Sequence, residues 1–252
     1  MKNLAVFALC SIATAAMAVQ PTSPGAITIA AGATSLQTAS LTNVSVTNRS
    51  NASNTAMQNL ASNAGTIEIK GTSKQTVTTA SSGSVQNESA GRGDFANQNV
   101  STNAGRVTVF QGAYSEQNTG LRDTTVTNKA QGGDATALQN RASNNGDGIE
   151  IKGTSKQNVW SASSTVTNLA SGNGAMATQN LSSNFGKVLI AGYSEQTTAL
   201  QNASVVNVAS GARSHAIQNI ASNDACDEPR DPCPNGQCGA GGGGWGGGSG
   251  HH

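Results

Sequence analysis

A chain of 252 residues with only 3% aromatic and 11% charged side chains does not build a thick core of large apolar groups, since both fractions lie well below those of ordinary globular domains. Its formal net charge of +1 provides no basic field for phosphates, so neither nucleic acid nor an anionic membrane is an expected partner. Ser, Thr, Asn, Gln, Gly and Ala dominate instead. Such a chain can fold if small side chains stack in regular layers under a saturated hydrogen-bond ladder.

The first element is a signal peptide over residues 1–18. Lys2 supplies the positive start, Leu4 to Ala15 an apolar run, and Ala16-Met17-Ala18 a cleavage site, so the mature chain is expected to begin at Val19. A lipid-attachment reading at Cys10 fits less well, because Leu9 stands where a small residue is wanted. No later stretch is long and apolar enough to span a bilayer as a helix. The chain is therefore expected to be secreted and not membrane-spanning.

Residues 19–225 hold five repeats of about 40 residues. Paired β-branched residues recur at Ile27/Ile29, Ile67/Ile69, Val107/Val109, Ile149/Ile151 and Val188/Ile190. A Ser-x-Gln element follows at Gln37, Gln75, Gln117, Gln157 and Gln196, and a Val-x-Asn element at Asn48, Asn87, Asn128, Asn168 and Asn207. Gln-Asn pairs come next, at Gln58-Asn59, Gln98-Asn99, Gln139-Asn140, Gln179-Asn180 and Gln218-Asn219. Ser-Asn or Thr-Asn closes each repeat, at Asn63, Asn103, Asn144, Asn184 and Asn223. A fixed period in this range marks a solenoid, propeller or array.

Inside a repeat the apolar period is two, as in Ile149-Glu-Ile151 and Val166-Thr-Asn168, which predicts strands. About four short strands per repeat are expected, separated by Gly- and Asn-rich turns such as Ser171-Gly-Asn-Gly174. Propeller blades normally carry more aromatic and large apolar residues. Pro is absent between Pro24 and Pro229, as an unbroken ladder requires. The predicted fold is all-β: a β-solenoid of stacked cross-β layers, with either one layer per repeat or two rungs of about 20 residues.

The residue before the shared Gln alternates as Lys74, Glu116, Lys156 and Glu195. At one layer of separation, about 4.8 Å, this makes a ladder of opposite charges. Duplication of a two-repeat unit accounts for the alternation as well, because Ile67–Gln75 and Ile149–Gln157 are identical. The recurring Gln and Asn residues are expected to form stacking ladders, each amide bonded to the one above and below, which removes the cost of burying it alone. The plainer alternative makes them polar turn residues.

The tail, residues 226–252, is acidic and Pro-rich to Cys238 and then nearly pure Gly around Trp245, so it reads as flexible. Cys226, Cys233 and Cys238 are an odd set in an exported chain. They suggest a disulfide or a bond between subunits, and their spacing matches no standard zinc pattern. Arg92-Gly93-Asp94 spells a cell-attachment tripeptide but falls at a turn where chance explains it, and His215 reads as a solvated turn residue. Tyr114, Tyr193 and Trp160 are expected to cover layer edges. No catalytic constellation is visible, so no enzyme activity, metal or cofactor is expected.

The strings Asn168-Leu-Ala-Ser-Gly172 … Gln179-Asn180 and Asn207-Val-Ala-Ser-Gly211 … Gln218-Asn219 resemble the Asn-x-Ala-x-Gly … Gln … Asn repeats of Fap-type subunits of bacterial functional amyloids. They are more loosely similar to curlin repeats. A cysteine motif near the C-terminus is also a Fap-type feature, although Fap-type cysteines are more closely spaced, and curlin repeats have nearer half this period. The resemblance implies export through an outer-membrane pore, homopolymerisation at the cell surface, a possible nucleator partner, and a role in biofilm matrix or adhesion. The alternative is a monomeric β-solenoid adhesin or an ice- or ligand-binding module.

Overall fold

The period-two residues form parallel strands that pair with the same residues of the next repeat. The structure, a computed structural model, describes residues 25–224 apart from 44, 52–54 and 147. The expected signal peptide, residues 1–18, and the tail with Cys226, Cys233 and Cys238 lie outside the described residues. Among the described residues, twenty-five strands fall into five parallel sheets, each taking one strand from each repeat in sequence order. The chain is thus an all-β solenoid of five turns.

Pairing is in register throughout. Ile27 lies beside Ile67, Ile67 beside Val107, Val107 beside Ile149 and Ile149 beside Val188. Each repeat is therefore one rung, not two. The second rung is typical, with strands Thr66–Ile69, Thr72–Thr79, Gly83–Gly91, Phe95–Val100 and Asn103–Ala104. The expectation of four strands per repeat is one short, because the closing Asn belongs to a two-residue strand of its own.

The missed corner has a physical cause. Ala61, Ser101, Ala142, Ser182 and Ala221 take φ between 45° and 52° in the five rungs, a left-handed conformation usually signalled by Gly or Asn. The following hydroxyl stabilises the bend: Ser62, Thr102, Ser143 and Ser183 each donate to the carbonyl two residues back. Elsewhere Gly is required by close approach. At Gly172 (φ 134°) an added Cβ would lie 1.9 Å from the Gly132 carbonyl oxygen of the rung below.

The core is a set of columns running along the stack. Ile29, Ile67, Ile69, Val107, Val109, Ile149 and Ile151 fill one end of the first four rungs. A column of Val85, Val126 and Val166 packs with Leu121. Ala96, Ala137 and Ala177 stack beside Ala130 and Ala170, where two sheets come close. Between these apolar columns lie the amides.

Candidate functional site: the amide columns and the terminal rungs

The Gln-Asn strand and the Val-x-Asn strand face each other, and each satisfies the other's backbone. Asn128 and Asn168 donate to the Leu138 and Thr178 carbonyls at 2.8 and 2.9 Å. In return Gln58, Gln98 and Gln139 donate to the carbonyls of Gln86, Thr127 and Thr167. The amides also bond along the stack, one rung to the next. Gln98 donates to Gln58, Gln139 to Gln98, Gln179 to Gln139 and Gln218 to Gln179, at 2.6–2.8 Å. Asn99, Asn140, Asn180 and Asn219 likewise donate to Asn59, Asn99, Asn140 and Asn180.

The Val-x-Asn column runs the other way. Asn87 donates to Asn128, Asn128 to Asn168 and Asn168 to Asn207, at 2.7–2.8 Å. Asn48 donates to the Met57 carbonyl of the facing strand, as Asn128 and Asn168 do to theirs, but Asn87 Oδ1 has no donor. Two ladders therefore point their donors toward the first rung and one toward the last, so their dipoles partly cancel.

The Ser-x-Gln column behaves differently from the expected ladder. Gln75, Gln117 and Gln157 stack in register but do not bond to one another. Each donates across the core to the closing Asn: Gln37 to Asn63, Gln75 to Asn103, Gln117 to Asn144, Gln157 to Asn184 and Gln196 to Asn223. The closing Asn residues form a ladder of their own, Asn63 to Asn103 to Asn144 to Asn184 to Asn223, at 2.8–3.0 Å. In the sequence these positions show only as a recurrence, with no mark of their role. Their ladder also points its donors toward the last rung, which makes the four ladders two and two.

On the outer face the alternating charges stack beside each other, Lys74–Glu116–Lys156–Glu195, but the ion pairs form in twos. Lys74 reaches Glu116 at 3.2 Å and Lys156 reaches Glu195 at 3.0 Å. A Tyr in the Glu-bearing rung completes each unit. The Tyr114 hydroxyl donates to Glu116 and the Tyr193 hydroxyl to Glu195, while Lys74 and Lys156 lie 5.4 and 5.8 Å from the two ring centres. Partial burial pushes the Glu116 carboxyl up, but bonds from Asn118, Lys74 and Tyr114 outweigh it and hold the group below its ordinary value. The bonds from Lys156 and Tyr193 do the same for Glu195. A second charged column, Arg49–Glu88–Lys129, has no signature in the sequence because its three residues share no motif.

The ends of the stack differ from its middle. In the last rung Leu189, Leu200, Val206, Val208 and Ile220 are exposed, as are Leu36 and Met57 in the first. The Gln and Asn ladders end at Gln218 and Asn219, whose amide oxygens are the terminal acceptors. Asp94 is only 1% exposed, so the Arg92-Gly93-Asp94 tripeptide is not displayed as a unit. His215 is exposed. Trp160 and Tyr193 are exposed and Tyr114 half-buried on the outer face.

One core position breaks the pattern. Arg141 is 0% exposed, and its Nε, Nη1 and Nη2 have no hydrogen-bond partner. Burial lowers its pKa to about 9. Nothing in the local motif marks it, since the Gln139-Asn140 pair before it is shared by every rung. No family model, curated protein or solved structure matches the chain.

Proposed function

We propose that the chain is a secreted structural subunit that stacks end to end into extracellular amyloid-like fibres, serving a biofilm matrix or surface adhesion. The observation that carries this reading is that, among the described residues, no further strand pairs with the outer edge of the first rung or of the last. A parallel in-register rung leaves a row of unpaired backbone groups at each end, and an open strand edge is a template for another strand. Solenoids that stay monomeric normally carry polar capping repeats, whereas the last rung here exposes Leu189, Val206 and Val208.

The ladders favour a head-to-tail contact. Gln218 and Asn219 offer amide oxygens at one end, and the equivalent first-rung residues Gln58 and Asn59 carry amide donors. Asn223 offers a donor toward Asn63 of the next copy in the same way. Such a contact is heterologous and propagates without closing. Export through an outer-membrane pore and a nucleating partner belong to the same reading.

Fibre diffraction on the Val19–His252 chain tests it. A sharp reflection near 4.7–4.8 Å along the fibre axis is the expected result. A clear solution of folded monomer at every concentration overturns it in favour of a monomeric adhesin or ligand-binding solenoid.

A further inference from the structure

Arg141 stands in a column that is otherwise aliphatic. Its rung-to-rung neighbours are Val100 and Leu181, and beyond them stand Leu60 and Ile220. Val100 and Leu181 are 3% and 0% exposed, so the guanidinium is closed in from above and below. A buried cation is normally matched by a carboxylate or by hydrogen-bond acceptors. Here all three guanidinium nitrogens lack a partner.

In a solenoid each rung touches only its neighbours. The cost of burying Arg141 therefore falls on the third rung and on its two interfaces. That rung is the middle of five. If it opens, the chain is left with rungs one and two on one side and four and five on the other. About three repeats are needed before stacked units hold together alone, so neither half persists. Closure of the third rung is thus the step that commits a free chain to the fold. A chain whose first rung already rests on a formed fibre end has extra rungs beneath it, and its first half persists while the third rung closes.

We propose that Arg141 is a brake on closure of the third rung, so that free chains fold and nucleate slowly while chains docked on a formed end close readily. The consequence for nucleation rests on the fibre-subunit reading. The brake itself is a property of a single chain.

Arg141→Leu and Arg141→Met in the full-length chain test it. Each restores the aliphatic column, and both are expected to raise the urea midpoint of unfolding. Each is also expected to shorten the lag of unseeded assembly roughly tenfold or more, the scale set by removing an unsatisfied buried charge. Growth on preformed wild-type seeds is expected to change by a smaller factor. The reverse variant Leu181→Arg adds a second guanidinium to the column, and it is expected to lower the midpoint and lengthen the lag. An unchanged or lowered midpoint in both Arg141 variants overturns the brake, as does a neutral Leu181→Arg. A raised midpoint with equal factors on lag and seeded growth overturns its selectivity for free chains. If wild type and variants all fail to form fibres, the fibre reading falls, and the midpoints alone still decide whether Arg141 opposes closure.

Discussion

At the scale of single residues, the amides set the terms. A buried amide without a partner is costly, and identical amides one rung apart satisfy one another. Asn144 shows how much one position carries: it accepts from Asn103 and Gln117 and donates to Asn184 and Ser155. Asn144→Ala takes the shorter acceptor from two buried donors, Asn103 and Gln117, which keep only their longer bonds to Ser115, and the expected loss is about 3 kcal/mol in a urea titration. Asn219→Ala removes one bond at the half-exposed last rung, and there the same titration is expected to read about 1 kcal/mol. Arg141 makes the opposite case. Burial brings its pKa well below the ordinary guanidinium value, to about 9, which corresponds to roughly 5 kcal/mol of opposition to folding. The folded chain binds this proton less readily than the unfolded one. The penalty is therefore present in full below about pH 9 and is relieved as the pH rises above it. Wild type is expected to gain stability over that window relative to Arg141→Leu, measured as the difference between their denaturant midpoints. Taking the difference cancels the Tyr and Lys titrations that both chains share.

At the scale of strands and corners, rung spacing is the governing distance. At the tightest corners, where the backbone of one rung lies on that of the rung below, only a hydrogen fits. Gly172→Ala places a methyl 1.9 Å from the Gly132 carbonyl oxygen and also strains a left-handed φ, so a loss of about 2–4 kcal/mol is expected by calorimetry. Gly93 has φ 74° but nothing within 4 Å of an added Cβ, so Gly93→Ala is expected to cost only about 1 kcal/mol. The outer charged pairs are a lesser matter. Lys156 and Glu195 are more than a third exposed, and pairs of that kind contribute about 1 kcal/mol or less. Their alternation is better understood as avoidance of like charges one rung apart.

At the scale of the whole molecule, the solenoid is a one-dimensional stack whose two ends are unlike. Continuing the register head to tail puts Arg49 of one copy on Val208 of the last rung of another, because Arg49, Glu88, Lys129, Leu169 and Val208 form one column. Arg49 is 61% exposed and bonds to Glu88 on its inner side, so its outer side is open to a second carboxylate. Val208→Glu is expected to speed seeded growth and Val208→Lys to slow it, with the gap narrowing in high salt. Equal rates for the two variants in low salt would remove this head-to-tail register while leaving other fibre geometries standing.

The sequence by itself determined the class and the repeat, an all-β solenoid of five 40-residue units with amides at fixed places, whereas one parallel, in-register rung per repeat rather than two was decided by the tertiary structure. Strand periodicity, the 40-residue recurrence of Gln75 or Asn128 and the absence of Pro are local or self-similar signals, and self-similarity is enough to say that equivalent residues stack. Which amide bonds to which was a tertiary matter. Gln117 recurs as regularly as Gln139, yet one crosses the core to Asn144 and the other bonds along the stack. The difference lies in what stands opposite each strand, and a repeat contains no record of that. The fifth strand was hidden for a related reason, because Ala142 and its equivalents bend left-handed without Gly, held by the hydroxyl that follows and by the rungs on either side. Arg141 was the least legible of all. On a strand that faced water it would be an ordinary surface residue, and only closure of the rung puts its charge inside.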